Sequence, residues 1–249
     1  MQTALFTGFW SRGRLAAWFS SMMLLVAGVP ADHSAHAAGG AYAVDDVEVG
    51  APGSCKVETW GSFANNRDWI GVVSPACVVN LLVPLELTGQ ASRFRADGDL
   101  GASFNLKGKI NLIPVAVGKL GLGLAGGGFF DLVTGQENGA FATVPVTLAI
   151  TSSFRINLNA GWVYQSIDNR HLGFYGAGVE WNIVKPITLI AEVYGFTNSD
   201  VREPRFQAGL RYTPYDPVDI DIIYGRNITG ENANWITVGM NLRFAAGGK

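Results

Sequence analysis

Between Cys55 and Phe244 the chain is a succession of stretches, each about ten residues long, in which apolar and polar side chains alternate and tight turns intervene. The last stretch shows the pattern. Ile236, Val238, Met240, Leu242 and Phe244 fall on one side, and Trp235, Thr237, Gly239, Asn241 and Arg243 fall on the other. A period of two is the period of a β-strand. A soluble sheet would bury the apolar set. In a membrane the assignment inverts, because only a closed barrel satisfies every backbone group, with the apolar set facing lipid and the polar set lining the lumen.

The start of the chain chooses between these. Arg12 and Arg14 precede an apolar run from Leu15 to Val29, followed by the small-residue site Ala35, His36, Ala37. This is the layout of a signal peptide, residues 1–37, and the run is shorter than the roughly 20 residues a spanning helix needs. No cysteine lies near the site to accept a lipid, so the mature chain is expected to begin at Ala38. Hydrophobic residues make up 48% of the sequence and mean hydropathy is +0.20, yet this apolarity is spread by alternation instead of being gathered into a helix. Loss of Arg12, Arg14 and Asp32 with the leader takes the formal net charge from −2 to −3, a balance that offers nothing to a nucleic acid. The roughly 210 residues left suit one domain.

A proline-marked turn recurs. Asn80 to Pro84, Asn182 to Pro186 and Thr213 to Pro217 each lead into a strand, with a proline at the strand's mouth, where its missing N–H costs no ladder bond. Short connections also fall at Ile113 to Lys119 and Ile150 to Ser153. The intervening loops lie at Asn65 to Asp68, Arg95 to Asp99, Val133 to Ala140, Ser166 to Arg170, Asn198 to Glu203 and Thr229 to Asn232. Turns on one rim and loops on the other predict an all-β, transmembrane, antiparallel up-and-down barrel of about 12 strands over residues 55–244, with both ends on the periplasmic rim. Residues 38–54 form a periplasmic N-terminal segment and residues 245–249 a tail. The outward aromatics then sort by height: Phe154, Trp181, Tyr212 and Phe244 near the turn rim, and Trp162, Tyr164, Tyr175, Phe206 and Tyr224 toward the loop rim. Two such girdles are expected of a barrel in lipid.

The segment Tyr42 to Asp46, followed by Gly50 and the strand Val57, Glu58, Thr59, Trp60, resembles the start of the outer-membrane barrels of the meta-pathway phenol-degradation family, and the alternating hairpins are similar up to Phe244. The resemblance implies an outer-membrane channel or transporter-like protein of a Gram-negative bacterium, tied to uptake of aromatic or other hydrophobic compounds. Its partners would be outer-membrane lipid and the barrel assembly machinery. One departure is the run Ala245 to Lys249 after the final aromatic, Phe244, where barrels of this kind usually end.

The inward residues also sort by height. Near the turn rim lie Lys56, Glu58, Glu86, Lys107, Lys109, Arg155, Glu180, Arg211, Asp219, Asp221 and Arg243; nearer the loop rim lie Val163, Phe174, Ile190, Tyr194, Phe196, Ile223 and Trp235. About twelve strands tilted near 40° enclose a backbone diameter of about 24 Å, so paired long side chains nearly close the lower half. The charges either define a path or neutralise one another to fill a small barrel. Phe174, Tyr194, Phe196 and Trp235 are the expected contacts for a flat apolar solute. Asp45, Asp46 and Glu48 lie on the same rim as Lys107, Lys109, Arg155, Arg211 and Arg243, so the N-terminal segment either folds in as a plug or remains a solvated tail.

Cys55 and Cys77 are the only cysteines, and a hairpin centred on Asn66 sets them opposite each other, which predicts a disulfide in an oxidising compartment. Pro75 is the feature able to shift that register. Catalysis finds little support: once His33 and His36 leave with the leader, His171, near Asp168, is the only histidine, and no serine partner is identifiable. Gly121, Gly123 and Gly126 match a dinucleotide fingerprint, but no helix follows them; in a strand they relieve crowding. Scattered carboxylates and single histidines give no metal site, and no cofactor is implied. A transport channel, a structural or adhesive barrel and a surface hydrolase therefore remain, with the channel the leading reading. Loops this short count against adhesion.

Overall fold

The structure, a computed structural model, describes residues 41–197, 204–229 and 233–245. The leader and the last four residues of the tail lie outside the described residues. Among the described residues twelve strands follow one another: β1 (Ser54–Ala64), β2 (Trp69–Asn80), β3 (Pro84–Ala96), β4 (Asp99–Ile113), β5 (Leu120–Asp131), β6 (Glu137–Ala149), β7 (Phe154–Gln165), β8 (Arg170–Val184), β9 (Ile187–Thr197), β10 (Arg205–Tyr215), β11 (Val218–Asn227) and β12 (Asn234–Ala245). Each pairs antiparallel with its neighbour in sequence, and β1 pairs with β12, closing the barrel. Closure leaves no unpaired edge, the condition that lipid imposes on a sheet.

The alternation sets which way each side chain points. Along β12 the residues Trp235, Thr237 and Asn241 are buried, while Ile236, Val238 and Met240 are exposed. The same parity exposes Trp162, Tyr175, Trp181, Tyr212, Tyr224 and Phe244. An apolar outer surface of this kind is stable only against lipid, so the chain is an outer-membrane barrel. Pro84 opens β3, and Pro186 and Pro217 immediately precede β9 and β11, where a missing N–H interrupts no ladder.

Cys55 and Cys77 are cross-strand partners and form a disulfide. Both lie on the outward parity at the turn rim. Pro75 holds its place opposite Val57. On its other side the β2/β3 pairing passes over Ser74 and Pro75 and resumes in the same register at Ala76 and Thr88. The proline thus costs a local bond, not a slip. We expect a thiol assay on the unreduced, denatured protein to find no free thiol, and reduction to cost about 3 kcal/mol of stability for a loop of about 20 residues. Two free thiols would contradict the pairing.

Candidate functional site

The lumen is the concave surface of this molecule, and the chain's own residues 41–48 lie inside it, running from the ionic layer at the turn rim up to the apolar clusters that hold Tyr42 and Val44. Asp46 and Val47 are fully buried there, and Tyr42 and Val44 nearly so. An extended segment without a strand partner presents unpaired N–H and C=O groups, which burial makes costly. Inward side chains of the wall supply the partners. The Glu192 carboxylate on β9 accepts the N–H of Ala43 at 2.7 Å and of Val44 at 3.0 Å. Gln207 on β10 donates to the Ala41 carbonyl at 3.1 Å and to Glu192 at 2.7 Å. Asn159 on β7 is paired in both directions with Asp45: it accepts the N–H at 2.8 Å and donates to the carbonyl at 2.7 Å. The Val47 N–H donates to Thr147 Oγ1 on β6 at 3.1 Å.

Glycines shape the room. A Cβ at Gly121 would come within 2.7 Å of Val47, and one at Gly176 within 2.7 Å of Val44. Gly121 and Gly123, two of the glycines of the apparent dinucleotide pattern, thus belong to a wall that accepts Val47 closely.

The acids of the segment meet the bases of the wall. Asp45 lies 3.1 Å from Lys107 and 2.8 Å from Lys109, and Asp46 lies 3.0 Å from Lys109. Glu48 lies 3.0 Å from Arg155, which also holds its cross-strand partner Glu180 at 3.1 Å. Glu180 accepts from Asn157 at 2.6 Å. Arg211 and Arg243, also weighed as partners for the segment, are engaged by the wall. Arg211 binds Asp221, directly opposite in register, through Nε at 2.8 Å and a second nitrogen at 3.1 Å. Its guanidinium also lies 5.6 Å from the Tyr42 ring centroid. Arg243 pairs with Asp219, which is fully buried. Lys56 bridges Glu58 and Glu86, at 3.3 Å from each. A cavity of about 250 Å³ lies at the turn rim between Glu48, Arg155, Glu180 and the β6/β7 turn.

Above the ionic layer the lumen gathers apolar clusters, alongside buried polar side chains such as Ser92, Ser103, Asn138 and Asn227. Phe174, Tyr194 and Phe196 share one buried cluster with Phe129, Phe141 and Val44, and the Phe174 and Phe196 rings are 5.4 Å apart, tilted. Trp235 stands apart from them. Its indole covers Gly225, where a Cβ would lie 2.2 Å from the ring. So three of the four expected solute contacts converge, and they are packed together, not spread around an open site. Glu192, Gln207, Asn159 and Thr147 were not singled out from the sequence. Inward parity at mid-strand is the signal that would have found them.

His171 lies on the outward face, where its Nδ1 accepts from Trp162 Nε1 at 3.0 Å within a stack that includes Tyr164. Among the described residues, no group of three or more His, Cys, Asp or Glu is placed to hold a metal ion.

A closed, lipid-facing barrel with an internally occupied lumen defines the class: an outer-membrane β-barrel. Residues 25–244 match the family model described as "Uncharacterised conserved protein UCP029691", and the chain belongs to that family. No curated protein matches. The fold is similar to that of the KdgM porin in complex with disordered oligogalacturonate, with a TM-score of 0.61 at 8% identity over 76% of this chain and 99% of that one. The NanC porin gives 0.58 at 8% identity over 75% and 98%. The COG4313 outer membrane channel from Pseudomonas putida F1 gives 0.58 at 12% identity over 80% and 98%.

Proposed function

We propose that this protein is an outer-membrane channel for small hydrophobic or aromatic solutes, closed in this structure by its own residues 41–48, and that it is not an enzyme. The observation that carries the reading is how the lumen is filled: by a segment held through side chains instead of a ladder, which reaches from the turn rim up to the aromatic cluster of the loop side. A strand of the wall cannot leave without opening the barrel. This segment can, since each of its bonds has a counterpart in water.

Buried polar groups elsewhere on the wall add support. Trp60 Nε1, Thr88 Oγ1, Asn105 Oδ1 and Asn241 Oδ1 are buried without hydrogen-bond partners. Each such group is costly in a permanently dry interior and costs nothing in a lumen that fills with water or solute. The porins and the channel with similar folds, and the resemblance of the first strand to the meta-pathway family, agree with passage of solute and, from the latter, an aromatic one. A structural barrel without transport is the second reading, favoured by the tight packing around Phe174 and Phe196.

Flux into liposomes carrying the purified barrel, comparing an aromatic acid with a sugar of similar size, tests the proposal. Tyr194→Ala combined with Phe196→Ala is expected to lower aromatic flux and spare the sugar, since each stacked pair contributes about 0.5 to 1.5 kcal/mol, or about twofold to twelvefold in affinity. A fall in both fluxes, or in neither, would remove the case for a hydrophobic cargo.

A further inference from the structure

Two arginines of one strand face outward. On β3 the buried residues Glu86, Thr88 and Ser92 mark the inward parity, so Arg93 and Arg95 stand on the outward face, toward the loop rim. Neither guanidinium forms an ion pair or hydrogen bond with another described residue. Two residues apart on one face, they lie about 7 Å from each other, close enough to repel and close enough to share one anion.

On the membrane side their neighbours are apolar and shaped, while the turns at the rim carry Asp68, Asp97 and Asp99. The register sets Arg95 opposite Trp69 and Arg93 opposite Gly71, and Trp69 in turn opposite Phe63. Phe63 is 63% exposed. Nothing lies within 4 Å of the place a Gly71 Cβ would take, so a notch open to the membrane adjoins Arg93. Aromatic side chains at this level mark the zone where headgroups meet acyl chains. A lipid-facing arginine is unfavourable by an amount that depends on depth, and an anion at the guanidinium relieves it. The planar guanidinium fork matches the oxygens of a phosphate.

We propose that Arg93 and Arg95 bind the phosphate of a phosphorylated outer-leaflet lipid, with an acyl chain lying in the notch over Gly71 against Trp69 and Phe63. The position selects a lipid over a soluble anion: both arginines face away from the lumen, they lie on the strand and not on a loop, and the adjoining notch is apolar. The inference is independent of whether the barrel conducts.

The test is native mass spectrometry of the full chain in neutral detergent, supplied with lipid A bearing both phosphates, with lipid A stripped of phosphate, or with phosphatidylcholine. The intact protein is expected to retain the phosphorylated lipid and neither of the others. Arg93→Gln with Arg95→Gln is expected to lower retention on the order of tenfold, while Arg226→Gln, an outward change on β11, leaves it unaltered. Equal retention by the intact protein and the double variant overturns the proposal. Should the double variant fail to fold, equal retention of the phosphorylated and stripped lipids by the intact protein overturns it as well.

Discussion

Deletion of Ala41 to Gly50 is expected to raise the conductance of the barrel in planar bilayers, on the order of tenfold or more, because it removes the segment that fills the middle of a lumen about 24 Å across at the backbone. The walls remain closed, since none of the twelve strands begins before Ser54. Lys109, which has 1% of its side chain exposed beside Asp45 and Asp46, loses both partners, but the water that replaces the segment solvates it. Conductance equal to that of the full chain would mean that these residues are not what blocks passage.

Lys109→Met is the second large effect, and it acts by a different route. It removes the ammonium 3.0 Å from the fully buried Asp46, and breaking a buried pair in this way costs about 3–5 kcal/mol. The chain can avoid that cost by letting the segment leave the lumen, where both carboxylates regain water. The cost therefore falls on docking and not on the barrel. A protease added from the periplasmic side is expected to cut the segment in the variant and spare it in the wild type, with little change in the temperature at which the barrel unfolds. Lys107→Met, at a side chain 29% exposed, is expected to change cleavage little, because a half-solvated pair contributes roughly 0.2–1 kcal/mol. Equal protease resistance at Lys109→Met and wild type would show that the ion pairs do not hold the segment.

The architecture was legible because lipid removes ambiguity. In a barrel every strand has one wet and one greasy face, so parity alone oriented Glu58, Lys109, Glu180 and Asp221 inward and Trp162 and Tyr224 outward, as the burial pattern has them. Symmetry about Asn66 paired Cys55 with Cys77 for the same reason: a short hairpin has one register. The interior was less legible, because who pairs with whom depends on distances across the lumen. Arg211 was available to the segment by height, yet Asp221 stands directly across the β10/β11 ladder. A partner in the next strand needs no further ordering. Glu192 and Gln207 escaped notice because their work is to bond a backbone, and no side-chain pattern announces a backbone. Trp235 shares a level with the aromatic cluster, but height is not azimuth, and its ring turns over Gly225.

The disulfide has a kinetic consequence. The Gly53 N–H donates to the Val78 carbonyl at 2.8 Å, and Cys55 is fastened to Cys77 just beyond, so the segment leaves the wall from a fixed point at the rim of the cavity it fills. A released segment on so short a leash stays at millimolar effective concentration, and reinsertion is an intramolecular event that competes with any arriving solute. Each tenfold preference for the inserted state weakens the apparent affinity of every solute by about tenfold, whatever its chemistry. If the barrel conducts as proposed, the leash would set a concentration threshold for permeation, and the lining could discriminate only among solutes abundant enough to pass it.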